Sequence, residues 1–523
     1  MSAAPTIQGR VREMLSPRVY GPGVRRVRML QTHTSWVFLT GRYACKVKKP
    51  VNFGFLDYTD LSARKFFCRE EFRLNRRLSP DIYLEVLPIT ERRGRLRLGG
   101  SGPVVDWCLK MRELPQESIM TEQLRRGRVS VDHVDEIARI IADFHSAAER
   151  GPEISRYGSS EIIRLNWDEN FAQTMEFRGR TITRPAFELI KTAVERFIRL
   201  RRGRFRRRRE QGFIRRCHGD LHSRNIFIGD RVHVFDCIEF NPRFSCSDTA
   251  SEIAFLAMDL DWFGRRDLAG FFVERYVART GDSGLLRLLD FYRCYRAYVR
   301  GKVTSFNLND PGVPPAAKVK ARAVARSYFR LAERYARLLD PDPRLVVMLG
   351  LPGTGKSYVA ARLAARIDAW HLNSDSVRKQ LAGVSIEADG RGALSPRLYN
   401  RELGIRVYRE LLRRARVFLA AGHRVVVDAT FLHPDSRAKA RAVADRLGLP
   451  FLFVHADCPE RTVVARMRRR FRQASVSDAD LRIYRAMKKR FAPPGPGPHL
   501  IRIDTRRPVS QSVNAIERAL LRI

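Results

Sequence analysis

The stretch RLVVMLGLPGTGKSYVAARLAARI, Arg344 to Ile367, decides the fold of the C-terminal part of this chain. A buried apolar run, LVVML, is followed by GLPGTGKS, which fits G-x-x-x-x-G-K-[ST] from Gly350 to Ser357, and then by an amphipathic helical pattern. That strand–loop–helix setting is the one the phosphate-binding loop requires. Gly350, Gly353 and Gly355 let backbone N–H groups turn inward around phosphates, Lys356 is placed to reach the β/γ-phosphates, and Ser357 is placed to ligate Mg²⁺. Working outward, VVVDATF and FLFVHADC repeat the near-continuous apolar strand followed by a helix, which predicts an α/β parallel-sheet domain. Upstream, Pro341 and Pro343 in LLDPDPR break the preceding helix and set the expected boundary, with a P-loop domain over 341–523.

Phosphoryl transfer needs acids and arginines around such a loop. In AWHLNSDSVRKQLAG, Asp375 ends a short strand as a candidate acceptor of a hydroxyl proton, and Arg378, one helical turn on, is a candidate for holding an anionic acceptor or the transferring group. In HRVVVDATFLHPDSR, Asp428 ends a buried strand and is the candidate for Mg²⁺ or its water. Arg466 and Arg470, four apart on an expected helix, are candidates for closing over the phosphates. Each has a plainer alternative: helix capping for the two acids, solvation for the arginines. The joint order of these segments, with Arg437 after VVVDATF, resembles the P-loop kinases that include polynucleotide 5′-kinases, zeta-toxin-like kinases and small-molecule kinases, of the AAA-type ATP-binding class, over roughly residues 344 to 505. The resemblance implies Asp375 as general base and Arg470 as lid arginine.

Residues 1 to about 110 mix short strand-like runs (SWVFLTGRYACKVKK, YLEVLPIT, RLRLGG, VVDWCLKM) with one helical stretch, ARKFFCREEFRLNRRL. From Val131 the pattern turns helical, with Ser130 and Asp132 as candidate caps, and it stays mostly helical to about 340. Inside that part, CHGDLHSRNIFIGDRVHVFDCIEFN carries H-G-D-x-x-x-x-N from His218 to Asn225 and a further acid, Asp236, at the end of the next strand. Kinase-type transfer uses such a set: Asp220 for the hydroxyl proton, Asn225 and Asp236 for Mg²⁺. These residues resemble the aminoglycoside phosphotransferase family over about residues 25 to 310. The resemblance implies an α+β, two-lobed protein-kinase-like N-terminal domain over 1–340, with a small lobe to about 110 and a helical lobe beyond. It also implies a strand lysine on the α/β-phosphates, Lys46 ahead of Lys48 on the same face, and a helix glutamate paired to it, Glu71 ahead of Glu70. VVDWCLKMREL would join the lobes against adenine. Two features depart from that family: THTSWVFL stands where a Gly-rich loop is expected, and the acid site reads Asp-Cys-Ile-Glu.

Composition bounds the rest. A chain of 523 residues exceeds one growing core, and two or three domains are expected. No apolar run reaches 18 residues and MSAAPTIQGRVREML has no signal-peptide core, so a soluble cytoplasmic protein is expected, without a membrane partner. The eight cysteines stand singly, as reduced structural thiols. A formal charge of +42, with a dense run RRGRFRRRRE from Arg201, adds nucleic acid to the partners a polycation attracts. Asp248, Glu252, Asp259 and Asp261 read as helix braces ahead of cation binders. The expected activity is ATP- and Mg²⁺-dependent phosphotransfer to a hydroxyl of a small molecule or a nucleic-acid end. Its rival is a nucleotide-switched, nucleic-acid-binding regulatory ATPase.

Overall fold

The computed structural model describes residues 7–54, 56–385, 398–470 and 481–523. The chain forms two compact units: Met1–Val129 with Glu136–Phe263 and Tyr295–Ala332, and Ser130–Asp135 with Gly264–Cys294 and Glu333–Ile523.

The first unit is built on six antiparallel strands, β1 (Arg28–Gln31), β2 (Ser35–Leu39), β3 (Tyr43–Lys48), β4 (Tyr83–Arg92), β5 (Arg95–Leu98) and β6 (Val104–Arg112). Their order is β1-β2-β3-β6-β4-β5. Alternation sends Trp36, Phe38, Cys45, Val47, Ile89 and Cys108 into one core on one face. The helix Leu61–Asn75 packs on β6 and β4. It starts at Asp60, whose carboxylate accepts from the N–H groups of Ser62 (2.8 Å) and Ala63 (3.1 Å). Fully buried Arg64 donates to Asp106 at 2.8 Å, fastening helix to sheet. Short strands β7 (Ile214–Arg216), β8 (Ile226–Ile228), β9 (Val232–Val234) and β10 (Cys246–Asp248) follow, pairing as β7 with β10 and β8 with β9. They lie among longer helices, including Ser160–Thr174, Arg184–Glu210 and Thr249–Trp262. The arginine run belongs to the helix Arg184–Glu210, and one member is structural: buried Arg208 donates to Asp248 at 2.6 Å and stacks over Phe213. β1 had no sequence signal, because its RMLQ is mostly exposed and shows no alternation.

The second unit contains the parallel α/β sheet expected from the sequence. Strands β11 (Leu345–Leu349), β12 (Trp370–Asn373), β13 (Val425–Asp428), β14 (Phe451–Asp457) and β15 (Leu500–Asp504) run parallel in the order β12-β13-β11-β14-β15. Val346, Met348, Val426 and Val454 pack under the helices Lys356–Arg366 and Val509–Leu520 through Val359, Leu363, Val513 and Ile516. The helix Arg401–Ala420 packs against β12 and β13. β11 lies at the centre, flanked by β13 and β14, so the chain order reverses there. In open α/β sheets that reversal opens a crevice at the carboxyl ends of the strands, where ligands bind.

All eight cysteines are free, and seven are buried. Among the described residues no helix is long and apolar enough to cross a membrane.

Candidate active site

In the second unit, strand register brings the candidate residues to one edge. Met348 is level with Asp428, and Asn373 with Asp428, so the ends of β11, β12 and β13 form a single row. The loop after β11 turns through three left-handed glycines: Gly350 (φ +137°), Gly353 (φ +79°) and Gly355 (φ +88°). A Cβ on Gly350 would lie 2.4 Å from the carbonyl oxygen of Ala456, and one on Gly353 would lie 2.8 Å from Val463 Cγ1. Both conformation and space therefore demand glycine. The helix Lys356–Arg366 begins at Gly355 with no side-chain cap, leaving its first N–H groups to an anion.

Asp428 is 1% exposed. Its Oδ2 accepts from Asn373 Nδ2 at 2.7 Å and lies 3.4 Å from His371 Nε2, whereas its buried Oδ1 has no hydrogen-bond partner among the described residues. Burial works against its charge, but His371, Lys356 and Ser357 together hold the carboxyl down at about 2. An ionised, buried carboxylate with one oxygen unclaimed, beside the P-loop serine, fits a hard divalent cation. Asn373 also caps the next helix, Ser374–Leu381, accepting from the N–H groups of Asp375 (2.9 Å) and Ser376 (3.1 Å). The carboxylate of Asp375 is thereby free of capping duty. Arg378 Nε lies 4.0 Å from Asp375 Oδ1, and its guanidinium donates to the Leu398 carbonyl (3.0 Å) and covers the Tyr399 ring. Phe431, three residues past Asp428, is left-handed (φ +45°), and it is held by Tyr408 OH on its N–H (3.0 Å) and by Arg437 on its carbonyl (3.0 Å).

Arg466 sits elsewhere in the loop's surroundings. Its guanidinium donates to the carbonyls of Thr354 (3.1 Å) and Thr505 (2.7 Å), bracing the P-loop from behind. Arg470 ends the helix Glu460–Arg470, and its side chain lies outside the described residues.

In the first unit, Lys46 Nζ donates to Glu71 Oε1 and Asp236 Oδ1, both at 2.7 Å. Lys48 Nζ donates to the other Glu71 oxygen at 2.7 Å and pairs with Glu239, which Tyr58 OH also reaches at 2.6 Å. Glu71 thus joins both lysines, and despite full burial they hold its carboxyl at about 2, while burial keeps that of Glu239 raised. Lys46 faces the half-exposed Asp236; Lys48 is 2% exposed and surrounded. Glu70 points the other way, to Arg73 and Arg216.

Asp236 is left-handed (φ +67°), a conformation an aspartate keeps only when its neighbours fix it. Tyr83 OH accepts its N–H at 3.0 Å, and Asn75 Oδ1 accepts that of Cys237 at 2.8 Å. Asn225 Nδ2 donates to the carbonyl (3.0 Å) and Oδ2 (3.1 Å) of Asp220. Burial opposes the Asp220 charge, yet His222, 3.2 Å away, with Arg300 and His218 holds the carboxyl well below the usual range. Buried Glu252 accepts from the N–H groups of His218 (2.8 Å) and Gly219 (3.2 Å), fixing the loop.

A family model described as "AAA domain" matches residues 345–494. Across 92% of the chain and 93% of its own length, "Uncharacterized protein Rv2004c" of Mycobacterium tuberculosis (strain ATCC 25618 / H37Rv) is 33% identical over 484 residues. The chain belongs to the Rv2004c family. "Uncharacterized protein Mb2027c" of Mycobacterium bovis, from the same family, matches equally. Among solved structures, the Mycobacterium tuberculosis APS kinase CysC in complex with AMPPNP and APS is 22% identical, covering 34% of this chain and 98% of that one, with a TM-score of 0.27. A gluconokinase from Sinorhizobium meliloti 1021 is 19% identical, covering 35% and 94%, also at 0.27.

Several residues of this Rv2004c-family chain act on the sites without a sequence signal. Asn373, Tyr408, Tyr83 and Asn75 are ordinary polar residues in apolar or charged surroundings, and only their partners reveal them. Glu239 did have a signal, the acid closing Asp-Cys-Ile-Glu three residues after Asp236.

Proposed function

We propose that the second unit is an ATP-dependent phosphotransferase, and that the observation carrying this reading is the pairing of an unclaimed, ionised Asp428 oxygen with the open P-loop and with Asp375 in the first turn of the helix that follows Asn373, level with Asp428. The P-loop N–H groups and Lys356 bind the triphosphate. Asp375 orients the acceptor hydroxyl and takes its proton as the oxygen attacks the γ-phosphorus, while Arg378 offsets charge on the acceptor or the moving phosphoryl. Ser357 and Asp428 would hold Mg²⁺, which when bound neutralises phosphate charge. Lid closure by Arg470 belongs to the same reading.

The first unit, in this proposal, is a second phosphotransferase of the aminoglycoside-phosphotransferase-like, protein-kinase-like type. Lys46, oriented by Glu71, grips ATP; Asp220 takes the proton; Asn225 and Asp236 would hold Mg²⁺. The half-exposed Asp236, held in a left-handed conformation beside Lys46, supports catalysis over mere structure.

The test is transfer of labelled γ-phosphate from ATP to sugars, nucleosides, aminoglycosides and 5′-hydroxyl oligonucleotides by wild type, Asp220→Asn and Asp375→Asn. Label lost with one substitution assigns that acceptor to one unit. Intact ATP binding without any labelled acceptor, together with RNA affinity that falls steeply with salt, would replace this reading with the nucleotide-switched binding protein.

A further inference from the structure

Nine arginines stand between Glu195 and Glu210 on the helix Arg184–Glu210, and the fold uses only part of that charge. Buried Arg208 ties the helix to Asp248 at 2.6 Å, and Phe197, Ile198 and Phe205 seat its apolar side in the core. Arg199, Arg202, Arg206 and Arg207 stay exposed, one before and three after a kink at Arg201 (φ −117°, ψ 17°). Acids are scarce around them. Glu210 lies 3.7 Å from Arg206, and Glu161 is close enough to feel the charge of Arg202. Among the described residues the guanidinium groups of Arg199 and Arg207 make no hydrogen bond or ion pair. Exposed arginines on other helices are placed differently: Arg139 has Asp143 at 3.2 Å, Arg164 has Asp168 at 3.6 Å and Arg337 has Glu333 at 2.6 Å, each one turn away. Here Arg199, Arg202 and Arg206 follow one another at that same spacing, and like charges so placed weaken a helix. The helix dipole accounts for a cation in the last turn, such as Arg207, but Arg199 and Arg202 stand outside it. Gly203 weakens the helix further without serving its packing, since a Cβ there would meet nothing within 4 Å. It leaves bare backbone between Arg202 and Arg206.

We propose that this exposed arginine face binds the phosphate backbone of a nucleic acid. The guanidinium fork matches phosphate oxygens, and from Arg199 to Arg207 the helix advances about 12 Å, enough to lie along several consecutive phosphates of one strand. An anionic membrane is the poorer partner. A helix that lies in a membrane surface inserts an apolar face, whereas the apolar face here is in the core and, of this helix's large apolar residues, only Leu200 is exposed, at 57%. Contacts of this kind set affinity and salt dependence and specify no base sequence. The proposal does not rest on either phosphotransfer reading.

The experiment titrates the full chain, without ATP, into labelled RNA and DNA duplexes and follows fluorescence anisotropy at a series of salt concentrations, the two arms separating one nucleic acid from the other. Each phosphate contact adds about −0.9 to the slope of log K against log salt. The combined Arg199→Gln, Arg202→Gln and Arg206→Gln variant should therefore show a slope shallower by about 2–3, with binding weakened on the order of 100-fold at ~0.1 M salt. The same three positions changed to lysine should keep the slope. A control neutralises as many exposed cations on the helix Pro315–Arg337, by Lys320→Gln, Arg322→Gln and Arg330→Gln, and should leave the slope nearly unchanged. If the triple glutamine variant loses its circular-dichroism signal, Arg202→Glu alone decides, with a slope shallower by about 1. Equal losses in the control variant would assign binding to diffuse net charge and overturn the proposal. So would a wild-type chain that binds neither duplex, or duplex binding indifferent to the three arginines while binding to phosphatidylserine vesicles or to polyglutamate depends on them.

Discussion

Lys46 and Lys48 stand two residues apart on one face of β3 and share Glu71, yet their replacement by methionine should give opposite phenotypes. Lys48 is enclosed by Glu71 and Glu239, whose side chains are 1% and 7% exposed. Removing it leaves a surplus buried negative charge, and breaking a buried pair in that way costs about 3–5 kcal/mol, a large part of the roughly 5–15 kcal/mol that holds a domain folded. Lys46→Met instead leaves Glu71 paired to Lys48 through its other oxygen; it strips the bond to buried Glu71 Oε1 and abandons Asp236, which is 44% exposed and able to hydrate, so the loss should be the smaller one, about 1–3 kcal/mol. Catalysis divides the other way, with Lys46→Met lowering Asp220-dependent transfer by at least ~100-fold, the usual scale for removing one electrostatic contact to the reacting phosphates. Hydrogen-exchange mass spectrometry across a urea series reads peptides of β3 and β6 apart from those of β11, so each unit is followed separately. The Lys48→Met deficit should also shrink as pH falls. Glu239 is already raised by burial, and without its lysine it escapes the penalty by taking a proton. Equal stability losses in the two variants, or a Lys48→Met chain within about 1 kcal/mol of wild type, would refute the division into an ATP lysine and a buried strut.

In the P-loop, Gly353→Ala forces a left-handed alanine against Val463, and affinity for a fluorescent ATP analogue in a Lys46→Met background should fall roughly 10-fold, in line with the ~1–2 kcal/mol cost of that conformation. Asp428 has a folded value below its ordinary one, so its contribution is complete above about pH 4 and is lost as pH falls toward about 2, an amount on the order of 2 kcal/mol read from exchange in β13; Asp428→Asn should flatten that limb. Arg466→Met should raise the KM for ATP and destabilise the loop by about 1–3 kcal/mol with kcat retained, whereas an arginine that closes over the transition state would lose kcat instead.

Those predictions mark where sequence is informative. The P-loop is legible because every constraint on it is local: three left-handed glycines, a strand before and a helix after. Asp428 is legible because a parallel strand's carboxyl end can be counted, whereas Asp375, expected to end its strand, stands in the first turn of the helix Ser374–Leu381, and it is Asn373 that register sets level with Asp428. Glu71 is separable from Glu70, since Cys68, Glu71 and Leu74 fall on one buried helical stripe while Glu70 lies a hundred degrees away. Lys46 and Lys48 admit no such separation. Two residues on the same face of a strand differ only in what approaches them, and Asp236 comes from 190 residues away. Arg466 shows the same limit from the other side, for helical spacing presents it as one cation of an arginine run while Thr505, 39 residues on, makes it a brace. Spacing therefore identifies which residues share a face, and a long-range partner decides what each does there.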